Sequence, residues 1–282
     1  MPALDSRQVA WLASRGVAGP FRSVGGGFRT DVFESGGGRI VRVGRSPASD
    51  NTFSTEQRVM GAVRRHVDVA VPRPTIVEDD LAEFPHGLMV YPKLPGASPT
   101  APSPALAASA ASVLRQLHTI AADFDAPNRA IDPDEVAALV RLTRPRLSEA
   151  QGRNVDVWRA DLTRLLARNP PPCLLHGDFW QDNWLVGAGG TITGLLDFER
   201  AGLGLPYEDL ATLGYLGEGF RDAVLDAYCD VMGGDPASLR EEIRLFEVLR
   251  ELRGLGWAIR NPSAGEGDDA LAKVARILAR YG

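Results

Sequence analysis

Cysteine is scarce in this 282-residue chain: Cys173 and Cys229 are the two, and neither has a close partner in sequence. A disulfide framework is therefore excluded as the organising device, and reduced thiols are expected. Long apolar runs are missing as well. No uninterrupted stretch is long enough to span a bilayer, and no charged segment leads into an apolar run at the N-terminus. The expectation is a cytoplasmic protein with no membrane partner. Nor is there an excess of positive charge. The net charge is −5, from 31 Lys and Arg against 36 Asp and Glu, which argues against a nucleic acid partner. The charge is unevenly spread: residues 1–95 carry 12 basic and 10 acidic side chains, the remainder 19 and 26, so the C-terminal part stands at −7. Such a surface favours a cationic ligand, and the same count also suits ordinary solubility.

What the chain does contain is a polar cluster between Cys173 and Arg200, CLLHGDFWQDNWLVGAGGTITGLLDFER. His176, Gly177 and Asp178 follow the apolar pair Leu174 and Leu175, where a buried strand empties into a loop. Asn183 stands five residues after Asp178. Trp184 to Val186 then resume an apolar strand, residues 187–190 read as a hairpin turn, and residues 191–196 return as a strand that delivers Asp197. Phosphoryl transfer to an alcohol needs a carboxylate to orient the hydroxyl and take its proton, and hard oxygen ligands to hold magnesium on the phosphates. Asp178 suits the first task, Asn183 and Asp197 the second. An amide oxygen at Asn183 can bind the metal without placing a further charge beside Asp178. The five-residue step from base to asparagine is that of the protein-kinase catalytic loop.

The pattern HGDxxxxN, an apolar strand pair and DFE resembles the aminoglycoside phosphotransferase and choline kinase family, kinase-like enzymes that phosphorylate small molecules. The resemblance implies a two-lobed α+β kinase-like fold. Its N-lobe, an antiparallel sheet plus a helix that binds nucleotide, would take residues 1–95. A mostly helical C-lobe with the catalytic loop and acceptor-binding helices would take residues 96–282. It also implies ATP or GTP as phosphoryl donor, Asp178 as base, and Asn183 and Asp197 as Mg2+ ligands. His176 reads as a hydrogen-bonding brace for the loop rather than a proton shuttle.

The N-terminal part supplies the remaining candidates. Gly25, Gly26 and Gly27 separate two short β-type runs, and glycines there let backbone amides approach phosphate oxygens. By resemblance this is the nucleotide flap, with Thr30 and Asp31 near its polar position. Arg42 is a lone charge in the strand expected over residues 39–43, so it needs a partner or a ligand. Glu56, which starts the periodic run Glu56, Val59, Met60, Val63, is the natural partner. The family has lysine or arginine here; arginine grips phosphate with two parallel donors. Arg45 competes for the same task. Residues 88–91 read as a buried strand, and residues 92–96 as a stiff connector. By resemblance this is the hinge, where backbone groups of Pro92 and Leu94 meet the purine and Tyr91 stands behind it.

Helices are expected over residues 6–14 with Ser6 as cap, 104–120, 132–147, 155–167, 216–232, 239–259 and 270–281, with a break at residues 233–236. Asp209 is expected to brace the catalytic loop from beneath. Eight carboxylates punctuate the last helices: Glu218, Asp222, Asp226, Asp230, Glu241, Glu242, Glu247 and Glu251. Helices there line the acceptor pocket in the family, and the sequence does not sort which of the eight face inward. The reading is a small-molecule O-phosphotransferase, monomeric or dimeric, acting on a cationic antibiotic such as an aminoglycoside or peptide antibiotic. The alternatives are a metabolic kinase of choline, sugar, fructosamine or homoserine type, and a nucleotide-binding pseudokinase. The absence of HRD and APE signatures disfavours a protein kinase.

Overall fold

The computed structural model describes residues 2–26, 29–46, 52–121, 124–262 and 265–281. Helix α1 (Ser6–Ser14) is capped by Asp5, one residue before the expected Ser6. The Asp5 carboxylate accepts the N–H groups of Arg7 and Gln8, and the Asp5 N–H donates to the Gln8 side chain. A reciprocal box of this kind satisfies amides that a serine at the next position would leave orphaned.

Five strands follow: β1 (Phe21–Gly26), β2 (Thr30–Ser35), β3 (Arg39–Gly44), β4 (Ile76–Glu78) and β5 (Leu88–Pro92). They form one sheet in the order β1-β2-β3-β5-β4, and every neighbouring pair is antiparallel. Gly25 and Gly26 close β1 instead of lying in the turn after it, and Gly27 falls outside the described residues. Because side chains alternate across a strand, β3 and β5 serve two cores. Val41, Val43, Leu88 and Val90 pack with Leu12 of α1 on one face. Ile40, Met89 and Tyr91 join the main core on the other, against Val59, Met60 and Val63 of helix α2 (Phe53–Val63). Arg42 has the parity of Ile40, so the guanidinium faces α2. That helix starts three residues earlier than the run from Glu56 suggests, since Thr52 caps it by accepting the Thr55 N–H. Glu56 thus sits in its first turn.

The remainder is mostly helical: α3 (Pro104–His118), α4 (Pro133–Thr143), α5 (Glu149–Ala167), the single turn α6 (Tyr207–Leu210), α7 (Glu218–Met232), α8 (Pro236–Arg260) and α9 (Gly267–Leu278). Pro104, Pro133 and Pro236 each occupy a first helical position behind the caps Ser103, Asp132 and Asp235. Proline lacks an N–H that is unpaired there anyway. Pro236 therefore opens α8 where the sequence suggested a break. α5 begins at Glu149, ahead of the expected residue 155, because Ser148 and Gln151 form a capping box. Pro145 shortens α4 as expected, into a 3-10 turn at Arg144–Arg146.

Two small antiparallel pairs carry the polar motif: β6 (Cys173–Leu175) with β9 (Gly202–Gly204), and β7 (Trp184–Val186) with β8 (Ile192–Leu195). The β7–β8 hairpin is tied to the connectors on both sides. The Leu195 N–H donates to the Ala70 carbonyl at 2.9 Å, the Ala70 N–H to Thr193 at 2.8 Å, and the Val186 N–H to Ala97 at 2.8 Å. Phe179, Trp184 and Phe198, all from the motif, are fully buried. Truncating an aromatic so placed costs about 3–5 kcal/mol, so the polar loop rests on a stiff base. No helix among the described residues is long and apolar enough to cross a membrane.

Candidate active site

The loop after β6 is held from below by one buried carboxylate. Asp209, on α6 and fully buried, accepts the N–H of His176 at 2.8 Å and of Gly177 at 2.7 Å. Its Oδ2 also faces His118 Nε2 at 3.3 Å, while His118 Nδ1 lies 2.8 Å from the Tyr228 hydroxyl. A ring that donates from Nε2 to Asp209 and accepts at Nδ1 from the Tyr228 hydroxyl satisfies the polar atoms of this buried chain. Gly177 has φ 81°, and a Cβ there would lie 2.1 Å from the Arg200 carbonyl oxygen. Only glycine fits that turn. His176 acts as the brace expected of it: Nε2 lies 2.9 Å from the Leu196 carbonyl, and Nδ1 accepts the Asp178 N–H at 3.3 Å.

The loop delivers Asp178 with both carboxylate oxygens engaged. Oδ2 accepts from Asn183 Nδ2 at 3.1 Å, and Oδ1 from Arg250 Nη2 at 3.1 Å. Asn183 Nδ2 also donates to the Asp178 carbonyl at 2.9 Å. The amide nitrogen is thereby committed to Asp178, and the amide oxygen is the atom left for a cation. Asp197 lies on the adjoining hairpin with φ 60°, a left-handed conformation that costs a non-glycine residue of order 1–3 kcal/mol. Its neighbours hold it there. The Leu196 N–H donates to the Asn183 carbonyl at 2.9 Å and the Phe198 N–H to Glu56 Oε1 at 3.1 Å, while Arg42 Nη2 donates to Asp197 Oδ1 at 2.9 Å.

Arg42 is 4% exposed and joins the two lobes. Besides Asp197 it donates to Glu56 Oε1 at 2.5 Å, and it lies 3.7 Å from Glu199 Oε2. Burial opposes its charge, yet Glu56 and Asp197 keep it well above the usual arginine range. Burial pushes Glu56 up, an effect that Arg42 and the Phe198 N–H partly offset. Losing one member of such a buried pair leaves the other charge uncompensated, at about 3–5 kcal/mol. Burial, and then the charge of Asp197, push Glu199 up to about 7. A cavity of about 230 Å³ opens on this cluster, walled by Arg29, Thr30, Arg42, Glu56 and Glu199.

The other predicted positions fall as follows. Thr30 is buried on that cavity wall, whereas Gly25 and Gly26 lie on an exposed hairpin arm. A Cβ at Gly25 would meet nothing within 4 Å, so the chain itself does not demand glycine there. Arg45, the rival to Arg42, is half exposed and pairs with Asp31 at 3.5 Å. Tyr91 is buried in the main core, and burial raises its hydroxyl. Pro92 is exposed and Leu94 half-buried just beyond, with the intervening Lys93 N–H bound to the Gly38 carbonyl at 2.9 Å. Because Tyr91→Ala would open a cavity at a cost of roughly 3–5 kcal/mol, the cleaner substitution is Tyr91→Leu. If Tyr91 backs the base, the GTP-to-ATP ratio of kcat/KM in Tyr91→Leu shifts by about threefold or more, a fraction of the 1.4 kcal/mol that makes a tenfold change. An unchanged ratio makes the ring part of the core alone.

Sequence reasoning missed Arg250, Tyr215 and Glu199. It also left the eight helix carboxylates unsorted. Glu218, Glu247 and Glu251 line a second cavity, of about 270 Å³, together with Tyr215 and Arg250. Asp222 pairs instead with Arg240 at 2.9 Å, Glu241 with Arg244 at 2.7 Å, and Glu242 with Arg168. The same cavity is lined by Arg221, Arg250, Lys273, Arg276 and Arg280. The −7 charge of the C-terminal part is therefore not concentrated on this wall.

The donor set suits magnesium better than a softer ion. One carboxylate (Asp197) and one amide oxygen (Asn183) are oxygen donors, and no cluster of three or more His, Cys, Asp or Glu able to hold a metal occurs among the described residues. Two protein oxygens leave most of the coordination shell to water and to a phosphate-bearing ligand, which is how Mg2+ is commonly held.

A sheet lobe and a helical lobe joined through Arg42 and Asp197 define a kinase-like phosphotransferase fold. The chain belongs to the phosphotransferase enzyme family, whose model matches residues 20–279. It is 36% identical over 98 residues to an aminoglycoside 3'-phosphotransferase of Escherichia coli, and this match covers 34% of the chain and 35% of that protein. Among solved structures it resembles the GDP and kanamycin complex of APH(2")-IIIa, with TM-score 0.77 and 18% identity over 93% of this chain and 94% of that one. It also resembles the macrolide 2'-phosphotransferase MphH apoenzyme from Brachybacterium faecium, with TM-score 0.66 and 23% identity over 96% and 97% of the two chains.

Proposed function

We propose that this protein transfers the γ-phosphoryl group of ATP or GTP to a hydroxyl of a small-molecule antibiotic, and so confers resistance. The observation that carries the reading is the meeting of Asp178, Asn183, Asp197 and Arg42 at the junction of the lobes. Residues 1–95 hold the nucleotide and residues 96–282 the catalytic loop and acceptor. The Arg42 guanidinium, oriented by Glu56, faces the phosphates, and Thr30 with the amides of Gly25 and Gly26 lies over them. The Pro92 carbonyl and Leu94 N–H face the base, with Tyr91 behind it.

The chain's own residues act by positioning and proton transfer. Asp178 orients the acceptor hydroxyl and accepts its proton as the acceptor oxygen bonds to the γ-phosphorus. The bond from that phosphorus to the bridging oxygen of the β-phosphate breaks, and the nucleoside diphosphate leaves. Asn183 and Asp197 would hold Mg2+, which when bound offsets the charge of the phosphates. The cytoplasm, where both nucleotides are available, is the place of action.

The acceptor we assign is an amine-bearing antibiotic of the aminoglycoside class. The local identity to an aminoglycoside 3'-phosphotransferase supports it. The test is incubation with magnesium, ATP or GTP, and a panel of cationic and neutral antibiotics, followed by mass spectrometry. A gain of one phosphoryl group on a cationic member is expected, with an acceptor KM that climbs with ionic strength while the nucleotide KM moves less. Modification confined to neutral macrolides would overturn the cationic assignment and keep the phosphotransferase.

A further inference from the structure

Arg250 stands where an acceptor must arrive. It projects from α8, 72 residues beyond the base, and its Nη2 donates to Asp178 Oδ1 at 3.1 Å. Its Nε donates to the Tyr215 hydroxyl at 3.2 Å, and its guanidinium carbon lies 5.4 Å from the Tyr215 ring centroid. The Tyr215 hydroxyl in turn donates to Glu251 Oε1 at 2.6 Å, and the Trp180 indole meets the Tyr215 ring edge-on at 6.2 Å. A carboxylate, an aromatic ring, a hydroxyl and a second carboxylate behind it make a slot for a cation, whichever cation fills it.

Arg250 leaves 31% of its side chain exposed and Asp178 24%, so water reaches the pair and screens part of its attraction. Three neighbouring cations have carboxylate partners of their own: Arg253 with Glu208 at 3.0 Å, Arg221 with Glu247 at 3.0 Å and Arg280 with Glu218 at 2.7 Å. Among the described residues, Arg250 is the cation hydrogen-bonded to Asp178.

We propose that Arg250 is a resident stand-in for the acceptor's ammonium group, a specificity-determining residue displaced from the Asp178–Tyr215–Glu251 slot by an amine-bearing acceptor. This rests on the reading of Asp178 as the base. With no acceptor bound, Arg250 covers Asp178 Oδ1 and denies it to water. Hydrolysis would otherwise follow the same course, with a water oxygen bonding to the γ-phosphorus, its proton passing to Asp178, and the nucleoside diphosphate leaving. An ammonium group held between the Tyr215 ring and Glu251 takes over the guanidinium's place there, and the Asp178 oxygen that Arg250 gives up receives the acceptor's hydroxyl. A neutral molecule has no charge with which to make the exchange.

The test uses two variants and two readouts. Arg250→Met keeps the length of the side chain and removes its charge; Tyr215→Phe keeps the ring and removes the anchor of Arg250, at a side chain 42% exposed. Phosphate release from ATP or GTP without acceptor should rise about fivefold in Arg250→Met, the factor carried by a part-exposed ion pair, and about half as much in Tyr215→Phe. Spermine, a polyamine with no hydroxyl to phosphorylate, should bind Arg250→Met about fivefold tighter than wild type by calorimetry. A merely structural role lowers release and weakens spermine, which would overturn the proposal. So would release and spermine affinity unchanged in both variants. If wild type and both variants consume no nucleotide, the phosphotransferase reading fails, and the spermine comparison still decides the slot.

Discussion

Asp178→Asn is expected to bind nucleotide within about twofold of wild type while lowering turnover by roughly a hundredfold or more, the range for losing a positioned proton acceptor. The substitution keeps the shape of the side chain. Its remaining carbonyl oxygen can accept from Asn183 or from Arg250, and the backbone bonds that hold the loop, from His176 and Gly177 to Asp209, do not involve the altered group. The residues proposed to hold the nucleotide, Arg42 and Thr30 among them, do not include Asp178, so affinity should survive. What is lost is the ability to take a proton at the oxygen facing the acceptor. Turnover within about twofold of wild type would show that another group is the base.

The second large effect is expected at Asp197. Asp197→Asn tolerates the left-handed backbone at φ 60°, as asparagine does better than most residues, and removes the charge alone. Magnesium-dependent strengthening of nucleotide binding should fall by on the order of a hundredfold, since metal charge offsetting phosphate is worth several kcal/mol. Asn183→Ala loses one neutral oxygen and should weaken the same quantity by about tenfold, the scale of one hydrogen-bonding or ligating group. Magnesium titrations of nucleotide affinity in the two variants separate these outcomes. Equal and mild effects in both would mean that the metal is held elsewhere. In Asp197→Asn the protein should remain folded, because Arg42 retains Glu56 at 2.5 Å.

Much of the site was legible because it is local or periodic. Asp178, Asn183 and Asp197 lie within twenty residues of one another on a strand, loop and hairpin, and chain geometry alone brings them together. Arg42 betrayed itself as the charge among Ile40, Val41 and Val43, and the two-residue period of β3 put it on the face of α2 that carries Glu56. Arg250 was not legible. It lies on a helix where Glu247, Val248, Leu249 and Leu252 are all buried, so apolar periodicity marks no single inward face and does not single out one arginine. Its partners Asp178 and Tyr215 are 72 and 35 residues away. The helix carboxylates were opaque for a related reason: whether Glu247 or Glu242 faces a cavity depends on how α8 packs against α7 and α9. The pairing of β6 with β9 escaped notice because Gly202, Leu203 and Gly204 carry almost no side-chain pattern, and close packing rather than propensity requires glycine there. A Cβ at Gly202 would lie 2.4 Å from the Pro127 carbonyl oxygen.

The most direct test of the central claim follows the γ-phosphoryl group itself. Wild-type protein is mixed with magnesium, γ-labelled ATP or GTP and the antibiotic panel, and the label is traced, with Asp178→Asn run alongside at matched nucleotide occupancy. The account predicts label on a hydroxyl of one acceptor in the wild type, one equivalent per nucleoside diphosphate formed, and almost none in the variant. Nucleotide bound with magnesium by both proteins, but no label moved to any acceptor or to water by either, would contradict it and leave a nucleotide-binding protein without catalysis.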